Sequence, residues 1–162
     1  MTELSNTQLD YLRSHAPGNA VAGALEDLLS HDGYLLTSDA NERSITFRFA
    51  MHLQARLPDW TVDCEYNRDG VDPKRLTFEG LYPDAYDEEA KTVFPDIIVH
   101  RRGGRENYLV MEFKKSTSQI GKEVDLRKLA GYRLQLGYEH ALFVEVATDE
   151  QPGVTDLEWV LP

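Results

Sequence analysis

Three charged residues interrupt two apolar segments in the middle of the chain, where buried strands ordinarily carry none. Asp96 begins the run DIIVH, and Glu112 and Lys114 lie near the end of the run NYLVMEFKK. The RRGGR sequence between the runs has the length and composition of a β-hairpin connection. The pattern therefore predicts two antiparallel strands, at about residues 94–100 and 107–114, that carry charges into a sheet.

The predicted hairpin brings the charged side chains together. Residues two apart in a strand share a face, so Glu112 and Lys114 emerge on one side while Phe113 points to the other. With the turn centred near residues 103–104, Asp96 precedes the centre by about as many residues as Glu112 follows it. We expect two carboxylates and an ammonium group to converge on one patch.

A patch of this composition suits metal-assisted phosphate chemistry. Two adjacent carboxylates repel each other, and a divalent cation such as Mg²⁺ or Mn²⁺ relieves the repulsion. The cation would acidify a bound water and neutralise charge on a phosphodiester. Lys114 could then position or deprotonate the water, or stabilise the developing charge.

A simpler interpretation is a surface salt bridge of Glu112 with Lys114 or Lys115. Each piece of the pattern recurs elsewhere, since Pro-Asp also occurs at 58–59 and 83–84. Only the copy at 95–96 leads an apolar strand in register with a Glu-x-Lys. The combination is therefore more specific than its parts.

The order of these features resembles the PD-(D/E)XK nuclease superfamily, which has the restriction-endonuclease-like fold. The shared segments are a helix with a glutamate, a strand, Pro-Asp at a strand start, Glu-x-Lys, and then a helix and a strand. The resemblance covers about residues 40–147 and implies an αβββαβ core. It implies that Asp96 and Glu112 are metal ligands and that Lys114 is the catalytic lysine.

The helix glutamate of the superfamily corresponds to Glu42, in the segment NERSITFRF. The resemblance implies that Glu42 is a further catalytic and metal-binding residue. The match rests on its position in the helix alone. A glutamate in a first helical turn also favours the helix dipole, so a purely structural role is an alternative.

Candidate substrate-binding residues flank this core. On the helix after Lys114, spacings of three, four and three place Asp125, Lys128, Tyr132 and Gln135 on one face. Some branches of the superfamily place a glutamine or tyrosine of this helix near the site. A solvated face on which Asp125 pairs with Lys128 is the alternative. The candidates are Glu65, which could approach Asp96, and Lys115, Lys128, Tyr132 and Gln135.

The remaining elements complete an α/β domain with a mixed central sheet flanked by helices. We predict one domain over residues 1–162, with residues 1–35 as a helical extension that forms a dimer interface or packs back on the sheet. Ser38 or Asp39 is expected to cap the next helix. The predicted elements are helices at 5–14, 18–31, about 40–57 and about 120–136, and strands at 60–66, 94–100, 107–114, 141–147 and about 157–161.

Two further predictions concern the region before the hairpin. The alternation of WTVDCEY places Trp60, Val62, Cys64 and Tyr66 on one face, so Cys64 is expected to be a small core residue rather than a nucleophile. Residues 67–92 are polar and are expected to form a loop or a hairpin with an excursion.

The net charge of -11 argues against a nucleic-acid binder, but its distribution is uneven. The segment 101–133 holds nine basic and four acidic residues, which gives +5 and leaves -16 for the rest. No apolar run approaches the ~20 residues of a membrane helix, the N-terminus lacks signal-peptide features, and there is one cysteine. We expect a cytoplasmic protein without a membrane partner.

These features favour a Mg²⁺-dependent nuclease that hydrolyses phosphodiester bonds in DNA. One alternative is a catalytically silent nuclease-fold module that binds or assembles within a larger nucleic-acid-processing or defence complex. Another is a hydrolase of RNA or nucleotides on the same fold. A homodimer or a partner protein that supplies specificity is compatible with the sequence.

Overall fold

A five-stranded mixed sheet with helices on both faces forms the centre of the protein. The structure is a computed structural model that describes residues 3–66, 75–77, 90–92 and 94–162. The elements in chain order are the helices Asn6–Arg13 (α1), Gly18–His31 (α2), Gly33–Thr37 (α3) and Glu42–Arg56 (α4), the strands Thr61–Cys64 (β1), Arg75–Thr77 (β2), Ala90–Thr92 (β3), Ile97–His100 (β4) and Asn107–Lys115 (β5), the helix Lys122–Leu136 (α5), and the strands His140–Ala147 (β6) and Gly153–Trp159 (β7).

The strand order in the sheet is β1-β4-β5-β6-β7. The β5–β6 pair is parallel and the other pairs are antiparallel, so the sheet is mixed. Parallel neighbours need a long crossover, and α5 provides it between β5 and β6. The predicted α/β class, with a mixed central sheet flanked by helices, is confirmed.

Alternation along the two central strands divides the core into two layers. Ile97 and Met111 belong to the larger cluster, which includes residues of α1, α2 and α4. Ile98 and Val110 belong to the smaller cluster with Tyr132 of α5. Residues of even number in this part of the hairpin therefore face α5, and the charged residues of the candidate site share that parity.

The N-terminal helix α1 packs on the sheet through β7. The Gln8 side chain donates to the Val154 carbonyl oxygen at 2.9 Å. The Trp159 backbone N–H donates to the Tyr11 hydroxyl at 2.7 Å, and its indole donates to the Tyr11 carbonyl oxygen at 3.2 Å. Of the two roles considered for the N-terminal helices, packing within the chain is the one observed.

The start of α4 differs in detail from the prediction. Neither Ser38 nor Asp39 caps the helix; Asn41 does, and its side chain accepts a hydrogen bond from the Ser44 N–H at 2.8 Å. Gly33 begins the short helix α3, which follows α2 after Asp32. Asp39 has a left-handed φ of 54° and bonds to the sheet instead.

The alternation predicted for β1 fails at its end. Trp60 and Val62 pack against the larger core, as expected, but Tyr66 packs against the smaller core on the opposite face. Glu65 has a φ of 49°, which breaks the two-residue period of an extended strand. The prediction that all four residues share a face was therefore wrong for Tyr66.

Cys64 is exposed, so the prediction of a core residue was wrong. Its sulfur nevertheless lies 4.0 Å from the Thr46 carbonyl oxygen of α4. Partial desolvation of the thiol, together with the nearby carboxylates of Asp63 and Glu65, raises the pKa of Cys64 to about 11. A thiol that remains protonated at neutral pH is a poor nucleophile, which agrees with the inert role expected.

Part of the region between β1 and β4 can be compared with the prediction. The strands β2 and β3 pair antiparallel, as a hairpin within residues 67–92 requires. The acidic cluster at 84–89 lies outside the described residues. None of the helices in the described ranges combines the length and the apolarity needed to cross a bilayer.

A polar cluster joins the edge strand β1 to β4. Asp63 Oδ2 lies 2.7 Å from Nε2 of the buried His100, and Arg102 bonds to both carboxylate oxygens of Asp63 at 3.0 and 2.5 Å. Burial alone would raise the pKa of Asp63, but the hydrogen bonds from Arg102 and His100 outweigh it and hold the pKa below its usual 3.8. The folded state therefore favours the ionised form.

We predict that Asp63→Asn lowers the free energy of unfolding by about 1–3 kcal/mol near neutral pH. Because the folded-state pKa of Asp63 is depressed, its contribution is present above about pH 3.8 and is lost as the pH falls further. Urea denaturation at neutral pH and at acid pH measures the difference. Equal stability of the two proteins at neutral pH would contradict the prediction.

Candidate functional site

The hairpin register places two acidic residues side by side. Ile97 pairs with Met111, so Asp96 at the start of β4 lies opposite Glu112 in β5. The Phe113 N–H donates to Asp96 Oδ2 at 2.8 Å, which fixes the aspartate across the end of the hairpin. The register predicted from the sequence is confirmed.

The two carboxyl groups lie close enough to shift each other's pKa. Burial, followed by the charge of Asp96, raises the pKa of Glu112 well above its usual 4.5. Burial also raises the pKa of Asp96. Only 2% of the Glu112 side chain is exposed, and the Tyr132 hydroxyl donates to its Oε1 at 3.1 Å.

Two lysines and a second aspartate surround this pair. Lys114 Nζ lies 2.8 Å from Oδ2 of Asp125, and each of these side chains is at most one-tenth exposed. Lys128 Nζ lies 3.4 Å from Glu112 Oε1 and 3.9 Å from Asp125 Oδ1. Asp125 and Lys128 come from the first two turns of α5, which packs on β5 and β6.

Glu42 extends the charged cluster from the opposite side of the sheet. It is the first residue of α4 and is half-buried. Burial raises the pKa of Glu42 to about 7, with a further contribution from the charge of Asp96, while Lys114 opposes the shift. Glu42 therefore interacts electrostatically with the other charged residues of this site.

The start of α4 is held there by contacts from β5 and from the residue after β6. Lys115 Nζ lies 2.6 Å from Asp39 Oδ1 and donates to the Ala40 carbonyl oxygen at 3.2 Å. The Thr148 hydroxyl donates to the same Asp39 oxygen at 2.6 Å. These contacts position Glu42, two residues further along the chain.

The other predicted substrate-binding residues fall into two groups. Tyr132 and Lys128 contact Glu112 directly. Lys115 contacts Asp39 instead, Glu65 pairs with the exposed Arg43 at 3.2 Å, and Gln135 is exposed near the end of α5.

Asp125 belongs to the site, although the sequence indicates it only as one of four residues on a helical face and not as a candidate ligand. Its spacing to Lys128 and Tyr132 suits a solvated face equally well. The pairing with Lys128 exists at 3.9 Å, and the shorter contact is with Lys114. Only the position of α5 over β5 distinguishes the two roles, and sequence spacing does not carry that information.

We call Glu42, Asp96, Glu112 and Asp125, with Lys114 and Lys128, the carboxylate cluster. If all six groups were ionised, four negative and two positive charges would leave a net charge of -2. Burying such an excess is costly, and protonation relieves it in part. One divalent cation would relieve it completely.

The donor chemistry fits a hard cation. Asp96 and Glu112 offer carboxylate oxygens, and Mg²⁺ typically binds one or two protein carboxylates and completes its shell with water and phosphate oxygens. Among the residues that the structure describes, no three His, Cys, Asp or Glu side chains form a ready-made metal site. In the present arrangement Lys114 and Lys128 balance part of the carboxylate charge.

Comparisons of this chain with protein-family models, with curated proteins and with solved structures found no match.

We predict that, in chelator, the protein loses stability as the pH rises. A carboxyl with a raised folded-state pKa binds its proton more tightly when folded, so stability falls from about pH 4.5 through the folded-state pKa. For Glu42 that window ends at about pH 7, and Glu112 adds to the loss. Urea denaturation should show a loss on the order of 1–3 kcal/mol between about pH 5.5 and 8.

Glu112→Gln should reduce this loss. The amide can donate to Asp96 and accept from Tyr132 without carrying a charge. Glu26→Gln, at an exposed position on α2, is the matched control and should behave like the wild type. The interpretation is wrong if Glu112→Gln loses as much stability with rising pH as the wild type does.

Proposed function

We propose that this chain is a metal-dependent nuclease of the PD-(D/E)XK type, which hydrolyses phosphodiester bonds in DNA with Mg²⁺ or Mn²⁺. The observation that carries the proposal is the opposition of Asp96 and Glu112 on adjacent strands, with Lys114 two residues further along β5. Glu42 approaches from a separate element, α4. These are the four positions at which the superfamily resemblance implies catalytic groups.

The element order supports the same assignment. Between residues 40 and 147 the main sheet and its flanking helices follow the order α4, β1, β4, β5, α5, β6, which is αβββαβ. The β2–β3 hairpin is an insertion between the first and second of these strands. The restriction-endonuclease-like core remains part of the proposal.

In this mechanism Asp96 and Glu112 would hold the cation, and Glu42 would bind it directly or through water. When bound, the cation supplies an acidified water and neutralises charge on the phosphate. Lys114 is fixed by its ion pair with Asp125, so its ammonium group stabilises the negative charge that develops on the phosphate oxygens. The Tyr132 hydroxyl and Lys128 orient Glu112 from the α5 side.

A catalytically silent module is the second candidate. Lys114 is paired with Asp125, and the described acids do not form a group of three metal-binding side chains. Both features are also compatible with a site that does not catalyse. In that case the domain would bind or assemble within a nucleic-acid-processing complex. For either function we propose a cytoplasmic protein, with specificity from a second copy or a partner protein.

We predict that Asp96→Asn, Glu112→Gln and Lys114→Met each reduce metal-dependent DNA cleavage by about 100-fold or more, because each removes a charge that acts on the transition state. Calorimetric titration of Mn²⁺ should show binding that Asp96→Asn and Glu112→Gln abolish and that Lys114→Met retains. Cleavage of plasmid DNA is measured on the same preparations.

Glu158→Gln is the matched control. Glu158, on β7, pairs with Lys122 of α5 and lies outside the carboxylate cluster. This variant should retain both Mn²⁺ binding and cleavage. Metal binding without cleavage of any nucleic acid favours the silent module. Unchanged cleavage in all three site variants contradicts the nuclease assignment.

A further inference from the structure

We propose that the site accepts a single-stranded or locally unpaired nucleic acid, with Phe94 as the surface on which a base stacks. This inference rests on the proposed function and names the substrate class of the same site. Three observations carry it: the engagement of the basic residues, the depth of the carboxylate cluster, and the exposed aromatic ring beside Asp96.

Most basic side chains of the segment 101–133 are committed to carboxylates. Among the residues that the structure describes, at least six of its nine basic side chains form ion pairs with carboxylates. Duplex binding relies on Lys and Arg that exchange counterions for many phosphates. Each cation used in this way would first have to give up its carboxylate partner. The six pairs are Arg101–Glu106, Arg102–Asp63, Lys114–Asp125, Lys115–Asp39, Lys122–Asp156 and Lys128–Glu112.

The rest of the chain does not compensate for these pairs. The segment 67–93 contains four basic and seven acidic residues, and the net charge of the whole chain is -11. A body of this charge repels a nucleic acid that lies along it, and a duplex presents twice the charge per unit length of a single strand. The electrostatics therefore favour contact with few phosphates at a time.

The reactive groups lie below the surface. The Glu112 side chain is 2% exposed and that of Lys114 is 8% exposed, so a scissile phosphate must come below the protein surface to contact them. A single strand bends freely, and it can bring one phosphate to these buried groups. A duplex is stiff over about 150 base pairs, and bending it locally costs free energy. The depth of the cluster thus selects for an unpaired strand.

Phe94 provides an exposed apolar surface close in sequence to Asp96. Its side chain is 57% exposed although it lies only two residues before Asp96, which limits the distance between their Cα atoms to about 7 Å. Pro95 between them is buried and anchors this turn of the chain. An exposed ring at this distance can stack with a base next to the scissile phosphate, and such stacking tolerates any sequence.

The test measures binding separately from cleavage. Fluorescence anisotropy in Ca²⁺ compares short single-stranded DNA, single-stranded RNA of the same sequence, and the corresponding DNA duplex. We expect the single strands to bind about tenfold or more tightly than the duplex, with a shallow dependence on salt that reflects one or two phosphate contacts. Comparing the single-stranded DNA with the single-stranded RNA identifies which nucleic acid the site prefers.

Phe94→Ala should weaken single-strand binding by about 5- to 150-fold, and Phe94→Trp should restore it. Leu134→Ala is the matched control, because Leu134 is 84% exposed near the other end of α5. Circular dichroism confirms that each variant is folded. This control should bind single strands as the wild type does.

The outcomes separate the two proposals. Tight single-strand binding that depends on Phe94, without metal-dependent cleavage, supports the inference and contradicts the nuclease. Equal or tighter duplex binding, no loss in Phe94→Ala, or no binding of any single strand overturns the inference. Cleavage of the duplex by the same preparation would leave the nuclease proposal in place.

Discussion

The burial of Glu112 opposite Asp96 is the constraint on which the rest of the site depends. Two carboxyl groups in a low-dielectric position cannot both ionise without compensation. The protein places compensating groups around the pair: Lys114 on the same strand, and Lys128 and Tyr132 on α5. The surrounding polar network exists because this pair is buried.

The burial of apolar side chains in the two core layers offsets the free-energy cost of this arrangement. β5 lies between β4 and β6, and its central residues are buried on both faces. The ring centroids of Phe113 and of Phe49 in α4 are 5.0 Å apart, on the face of the strand opposite Glu112 and Lys114. The same strand therefore anchors the larger core with its odd-numbered residues and presents charges with its even-numbered ones. Alternation lets a stable strand carry a costly site.

Sequence periodicity predicted what depends on local geometry and missed what depends on packing. The hairpin register followed from the two-residue period of strands and the position of the turn. The reversal at Tyr66 depends on the left-handed conformation of Glu65, and nothing in a run of alternating residues indicates it. The spacing of Asp125 suited a solvated face and a buried ion pair equally well, and the contact with Lys114 depends on tertiary packing. The final strand began at Gly153 rather than near Leu157 because pairing with β6 extends it.

The contact between Thr148 and Asp39 links residues 109 positions apart. The pairing of β6 with β5 brings Thr148 to the end of the sheet, where it meets Asp39. Closing so long a loop costs conformational entropy, which the packing of the intervening elements offsets. The position of Glu42 beside the other acids therefore depends on contacts between distant parts of the chain. A nascent or partly unfolded chain has the same acidic residues but cannot gather them, so the assembled site serves as a marker of the finished fold.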